Sequence, residues 1–356
     1  MLEFVLNRKN DYNPAAFIDE LASASKNLGI LEAKISAYQF NSILVPMLHK
    51  KEAISSMDIE GTETTMTDVW KNDVVPQNDN RIFVEVKNHT QALAFGSNYL
   101  NANNFSHSFI QGIHGIMLQD ILPSELENTL GKYKTRDNRI ENSKGRVVFT
   151  PPSYKNTHKY MSELIGFMND EFDGINPLIK AAIIHSQFES IHPFSDGNGR
   201  VGRLLVSLYL YKARVINFPF FYISEAISEE KSVYYNMLTD SRNNSYDRWI
   251  KFFLDKVAIQ ARKHISYIDA LNNLYLQTKI TVKESINSTK YDQIIECLFT
   301  NPILNATFLS DKLDVTRAQA VRYLNILESQ HVLLGDDRQR NRTFYFERLL
   351  NIARGK

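Results

Sequence analysis

The sequence predicts a mainly α fold, a helical domain interrupted by one β-hairpin and followed by a small winged-helix module. Three observations predict it. Apolar residues recur at helical spacing through most of the chain, one polar stretch at 139–149 has the pattern of a hairpin, and 290–356 reads as three helices closed by two short strands. At 356 residues the chain suffices for two or three compact units, and 43% hydrophobic with 23% charged residues is ordinary for a globular protein. A formal net charge of +1 predicts no whole-molecule attraction to nucleic acid or anionic lipid. Cys297 is the single cysteine, so no internal disulfide can form, which fits a reducing cytoplasm. Flanked by Ile294, Ile295, Leu298 and Phe299, it reads as core filler. The opening MLEFVLNRKNDYN lacks a basic region followed by a long apolar run, and no stretch approaches ~20 apolar residues, so neither a secretory signal nor a membrane span is expected.

The elements follow in order. A helical segment at 1–75 places Phe17, Leu21, Ala24 and Leu28, then Ile43, Leu44, Met47 and Leu48, at helical spacing. Lys71-Asn72-Asp73 and Pro76-Gln77-Asn78-Asp79-Asn80 read as a loop. Helical patterns resume at 81–101, 107–119, 155–172, 177–190, 200–214 and 229–243, within a domain spanning 76–275. Inside it, 139–149 reads as a hairpin with a polar turn, closed by Pro151-Pro152. The polar region Lys279–Lys290 precedes the last unit, 290–356, with helices at 291–299, 306–312 and 316–330. Thr316 is its candidate N-cap, Ala320, Leu324 and Leu327 form an apolar stripe, and Val332-Leu333-Leu334 with Thr343-Phe344-Tyr345-Phe346 supply the strands.

The chemistry concentrates in His192-Pro193-Phe194-Ser195-Asp196-Gly197-Asn198-Gly199-Arg200-Val201-Gly202-Arg203. Pro193 lacks an amide donor and disfavours helix at the residue before it, so a helix should end at His192. Gly197 and Gly199 let the loop fold back with successive amides pointing into one concavity, and the positive end of the next helix adds to this anion nest. Arg200 and Arg203, three apart, share a face of the first turn of that helix. Two cations at a helix N-terminus oppose its dipole and call for a compensating anion, which phosphate oxygens supply through paired guanidinium bonds. Asp196 offers a hard oxygen for Mg²⁺ bridging phosphates, and His192 is the candidate general base for a hydroxyl proton. His185, seven residues earlier, reads as a buried support.

The run resembles the signature of the Fic family, His-Pro-Phe-x-(Asp/Glu)-Gly-Asn-Gly-Arg-x-x-Arg, with every fixed position present. The likeness extends over roughly 35–255: Glu85-Val86-Lys87-Asn88 and Gly131-Lys132-Tyr133-Lys134 look like family landmarks, with Lys134 where arginine is usual. The resemblance implies a Fic-type helical domain and makes the hairpin its flap, which docks a target protein's backbone by strand pairing. Asn138, Arg139 and Ile140 fall on that flap, with Arg139 where many relatives carry tryptophan. It further implies AMP transfer from ATP to a tyrosine, threonine or serine hydroxyl of a target or of the protein itself. His192 would act as base, Ser195, Gly197 and Gly199 would line the nucleotide site, and Mg²⁺ on Asp196 with Asn198 would hold the α- and β-phosphates. Arg200 would hold the β-phosphate and Arg203 the γ-phosphate. Tyr234 and Tyr235 fall where relatives have a base pocket, with core packing the competing reading for one of the two, and Trp249 where they have a core tryptophan.

Upstream, Ser56-Met57-Asp58-Ile59-Glu60-Gly61 matches the pattern (Ser/Thr)-x-x-x-Glu-(Gly/Asn) of self-inhibited members whose inhibitory helix is N-terminal. A spacing of four puts Ser56 and Glu60 on one helical face, and Gly61 ends the helix, so Glu60 sits at a C-terminus where the dipole disfavours a carboxylate. Arg203 is the expected partner. That pairing would withdraw it from the γ-phosphate; the resemblance also implies a role for Glu60 in orienting a water for AMP removal, which the sequence does not decide. In the C-terminal unit, Arg317, Gln319 and Arg322 on the third helix and Arg338, Arg340 and Arg342 on the turn fit DNA, while Asp336, Asp337, Glu328 and Glu347 dilute the field. Protein docking or homodimerisation is the preferred reading. The rival for the whole chain is an ATP-sensing, DNA-binding transcriptional regulator with little transferase activity; a second rival transfers UMP, phosphocholine or a terminal phosphate.

Overall fold

The computed structural model describes residues 11–355 apart from 39–40, 75–80, 142–144, 220, 244–245 and 339. The expected loop at Pro76–Asn80 and the turn of the hairpin at Asn142–Lys144 therefore lie outside the described residues. The chain divides into two compact units, one of 1–33, 55–62 and 84–262, the other of 34–54, 63–83 and 263–356.

The first unit is helical around one buried rod. In order it holds α1 (Ile18–Ala37, to residue 33), the end of α2 (Asn41–Ile59), α4 (Arg81–Leu100), α5 (His107–Leu118), α6 (Tyr154–Asn169), α7 (Pro177–Ile191), α8 (Asn198–Lys212), α9 (Ser224–Ser228), α10 (Lys231–Asn243) and the first part of α11 (Asp247–Ser285). The third helix of the chain, α3 (Met66–Val74), belongs to the other unit. Pro177 at N1 and the Asn176 carboxamide, which accepts from the Leu178 amide at 2.9 Å, start α7. Every residue from Leu178 to Ile191 is buried, and α6, α8 and α10 pack round them. The helix is buried on all sides although it carries Lys180, His185, Gln187 and Glu189, which places it at the core centre. Trp249, fully buried on α11, donates its indole N–H to the Ala182 carbonyl at 2.7 Å. The hairpin is β1 (Ile140–Glu141) antiparallel to β2 (Val147–Phe149), pairing Ile140 with Phe149 and Glu141 with Val147 across a bulge.

The second unit holds three C-terminal helices, α12 (Tyr291–Thr300), α13 (Ala306–Leu313) and α14 (Arg317–Ser329), with α15 (Glu347–Ala353) at the end. Thr316 caps α14 in a reciprocal capping box with Gln319. The two expected strands are β4 (Leu334–Gly335) and β5 (Thr343–Tyr345), but β3 (Ile303–Asn305) adds a third, in the order β3-β5-β4, all antiparallel. Ile303 and Leu304 are buried there, a two-residue apolar signal too short to read as a strand beforehand. Into the polar region at Lys279, α11 continues to Ser285, because Leu271, Leu274, Thr278 and Val282 form a buried stripe at helical spacing. Among the described residues no helix is long and apolar enough to cross a membrane.

Candidate active site

His192 ends α7 in the left-handed region (φ 49°), its amide closing the last turn on the Phe188 carbonyl at 2.9 Å. A non-glycine residue held there stores strain that the surroundings must hold in place. The restraint is visible. Asn138 donates from one carboxamide nitrogen to both the His192 and Phe194 carbonyls at 3.1 Å. Lys134, buried, donates to Asn138 Oδ1 at 2.8 Å and to the Ile191 carbonyl at 3.2 Å, answering a helix C-terminus with a cation. Burial lowers the Lys134 ammonium to about 8. Burial, reinforced by the Lys134 and Arg242 charges, pushes the His192 imidazole down to about 4, and the Glu189 backbone carbonyl beside the ring pulls the other way. The ring is therefore neutral and able to accept a proton at pH 7.

Beyond His192 the loop folds on itself. The Asn198 side chain accepts from the Phe194 amide at 2.8 Å and donates to the Phe194 carbonyl at 2.9 Å, so it shapes the loop from within. Asp196 Oδ1 accepts the Gly197 amide at 2.6 Å, and its side chain stays 43% exposed. Gly197 (φ 75°) is the N-cap of α8, and a Cβ there would meet the Leu118 side chain at 2.6 Å. No side chain caps α8, so its first amides have no side-chain partner from the N-cap. Ser195 is exposed on this loop.

Arg200 Nη1 lies 3.3 Å from Glu85 on α4 and its Nη2 3.6 Å from Asp196. Arg203 is buried, with Nε on Ser56 Oγ and Nη2 on the Ser56 carbonyl, each at 3.0 Å, and Nη2 on Glu60 Oε1 at 2.7 Å. Glu60 sits just past α2, where Gly61 (φ 92°) closes a double C-terminal turn, Gly61 N–H to Asp58 and Thr62 N–H to Met57. Its carboxylate also lies against Gly199, where any Cβ would collide with Oε1. It thus leaves the unfavourable end of one helix dipole for the favourable end of another. Although burial opposes ionisation, Arg203 with Arg200 and Lys231 holds the Glu60 carboxyl below the usual range.

The two tyrosines separate. Tyr234 is buried with its hydroxyl 2.9 Å from His185 Nε2, a position that fits the core-packing alternative held open for one of the two. Tyr235, 42% exposed, donates to the Ile59 carbonyl at 3.3 Å. On the flap, Arg139 is exposed and Ile140 half-buried. Phe149 lies under the Arg242 guanidinium at 3.9 Å, and Arg242 Nε donates to Ser190 at 3.2 Å.

Three groups escaped the sequence reading. His114 accepts the Gly131 amide on Nδ1 at 3.0 Å, so Nε2 carries the proton and donates to the Asp196 carbonyl at 3.1 Å. Its ring stacks on Phe194 with centroids 3.9 Å apart, and burial lowers it to about 4. The only signal was its place in the stripe Ile110, Ile113, Met117 of α5. Glu189 is buried, its Oε1 has no hydrogen-bond partner, and burial raises it to about 7. Arg242 is the third.

The Fic/DOC family model matches residues 104–210 and the Fic/DOC family N-terminal model matches 18–98, together more than half of the chain. The chain belongs to the Fic/DOC family. Among proteins similar to this Fic protein, the protein adenylyltransferase fic-1 of Caenorhabditis elegans is 38% identical over 66 residues, 18% of this chain and 13% of that one. The protein adenylyltransferase Fic of Drosophila willistoni is 28% identical over 268 residues, 71% of this chain and 49% of that one. The chain thus spans half or less of these curated relatives. A Fic family protein from Desulfovibrio desulfuricans shares the fold at a TM-score of 0.60 and 17% identity, covering 94% of this chain and 96% of that one. A Fic domain containing signaling protein from Bacteroides thetaiotaomicron does so at 0.54 and 22%, covering 70% and 97%.

Proposed function

We propose that this Fic protein transfers AMP from ATP to a tyrosine, threonine or serine hydroxyl of a target protein or of itself, and that Glu60 restrains it. One observation carries the reading: an uncapped helix N-terminus beside a neutral imidazole, flanked by two arginines, with a carboxylate lying on the anion nest. In the active arrangement the α8 amides and Arg200 receive phosphate oxygens, and Arg203, released from Glu60, receives the terminal phosphate. His192 takes the hydroxyl proton as the oxygen bonds to the α-phosphorus, the bond to the bridging oxygen breaks, and pyrophosphate leaves. Asn198 and Asn138 keep the loop in shape for this, and Tyr235 is the candidate contact for the base.

A half-exposed Asp196 carboxylate suits Mg²⁺, which takes one or two protein carboxylates together with substrate phosphates; among the described residues no cluster of three or more acidic, histidine or cysteine ligands competes for it. Bound there, the ion would neutralise phosphate charge. The flap would pair with the target's backbone through its strands, whose Val147 and Val148 are exposed. The C-terminal helices and sheet fit a winged helix, and protein docking is the reading favoured for it. Arg342 is tied to Glu328 at 2.7 Å and Arg317 to Asn341 at 2.8 Å, which leaves fewer free cations for phosphates. A salt-dependent gel shift by the full chain would reverse that preference.

The deciding experiment is label transfer from α-labelled ATP with Mg²⁺. Glu60→Gly should raise self-labelling at least about tenfold, since an ion pair with a buried arginine no longer competes with the triphosphate, and His192→Ala in that background should abolish it. Absence of label in any protein would favour the ATP-sensing regulator; label from UTP in preference to ATP would redirect the reading to UMP transfer.

A further inference from the structure

The turn of α2 that carries Glu60 is gripped from α9 and α10 by contacts that do not involve Arg203. The Ser228 hydroxyl donates to Asp58 Oδ2, Lys231 Nζ donates to the Asp58 carbonyl at 3.2 Å, and the Tyr235 hydroxyl donates to the Ile59 carbonyl at 3.3 Å. Tyr235 answers a carbonyl near the helix C-terminus, Lys231 adds a second donor to the Asp58 carbonyl that already accepts the Gly61 amide, and Ser228 holds a side chain on the same turn. Apart from Arg203 and the nest over Gly199, Glu60 has little to hold it. Its side chain is 39% exposed, it lies outside the last helical residue, and a carboxylate at that end of a helix opposes the dipole.

We infer that Asp58, clasped by Ser228, is a positioning residue for Glu60: the clasp fixes the end of α2 so that the Glu60 carboxylate reaches Arg203 and the nest over Gly199. This rests on Glu60 being the restraint proposed above. The clasp acts through Glu60 and touches neither the triphosphate-binding arginines nor His192. Lys231 and Tyr235 make poor probes, because the Lys231 charge also acts on Glu60 and Tyr235 faces the proposed base site. Asp58 and Ser228 carry the clasp alone.

The test is a cycle of full-length proteins: wild type, Asp58→Asn and Ser228→Ala, each with and without Glu60→Gly, measured by self-labelling from α-labelled ATP with Mg²⁺. Each clasp variant should raise the initial rate about tenfold in the wild-type background. In the Glu60→Gly background each should change it by less than about twofold, because the carboxylate they position is gone. Asp58→Glu, which keeps a carboxylate for Ser228, should stay nearer wild type than Asp58→Asn. No gain from either clasp variant, while Glu60→Gly alone gains, overturns the clasp and leaves the restraint standing. A fall in labelling in the Glu60→Gly background shows a general structural role and also overturns it. If Glu60→Gly gains nothing, the restraint fails and the clasp with it. Ser228→Ala removes one oxygen from a half-buried site, so folding losses that trouble Asp58→Asn are separable by comparing their denaturation midpoints.

Discussion

A free histidine is half-protonated near pH 6.5, yet burial and two neighbouring cations bring His192 to about 4. The shift has a kinetic consequence. The neutral ring, the form that accepts a proton, persists through pH 5, so the acid limb of kcat/KM for labelling by the Glu60→Gly protein should fall near pH 4 in place of 6.5. A limb at 6.5 in that profile would mean that the ring is solvated or carboxylate-paired in solution. Gly197 makes a second residue-scale case, since its φ of 75° and the Leu118 contact leave no room for a methyl group. Gly197→Ala should cost about 1–3 kcal/mol in a denaturant melt and should lower labelling with it. The placement of both residues, at the end of α7 and the start of α8, was legible in the sequence because it follows from residue type and neighbours. His114 and Lys134 were not, because what they do depends on distant backbone: the Asp196 carbonyl for one, the Ile191 carbonyl for the other.

Elements long enough to show a period were read well, and short ones depended on partners the sequence does not display. The α7–loop–α8 unit was legible because Pro193 and the glycines punctuate it, whereas β3 exists only because β5 lies beside it and pairs Leu304 with Phe344. The tail of α11 was hidden by polar residues on its exposed face. The flap was legible as a hairpin, but its mooring was not: Asp137 accepts the Tyr154 amide at 2.8 Å at one foot, and Arg242 covers Phe149 at 3.9 Å at the other. Arg242→Ala should free the second foot. Trypsin cleavage after the exposed Arg146 should then quicken several-fold, with cleavage elsewhere unchanged. Equal cleavage rates would show that the first foot and the Ile140–Phe149 pairing suffice.

For the molecule as a whole, a net charge of +1 leaves little global repulsion, so pH acts on stability through individual buried groups. His114 and His185, each 1% exposed, are lowered to about 4 and about 3, chiefly by burial. A histidine depressed in the folded state contributes stability that is fully present above its unfolded value near 6.5 and is lost as pH falls toward its folded value, because the unfolded chain binds the proton first. Glu189 works in the opposite sense. Raised to about 7 by burial, it contributes stability that is present below its ordinary value and is lost as pH climbs through 7. His49 and His192 are lowered to about 4 in the same way, so between about pH 4.5 and 6.5 four depressed rings oppose one carboxylate. The histidines win by at least one proton, about 1.4 kcal/mol per pH unit, so the chain should lose stability on acidification through this window. Glu189→Gln removes the opposing contribution: the variant should match wild type near pH 4.5, lose stability more steeply between 6.5 and 4.5, and melt above wild type at pH 8. Urea midpoints at pH 4.5, 6.5 and 8 read all three, and a wild-type midpoint that is flat or rises on acidification would mean that these rings are hydrated in solution.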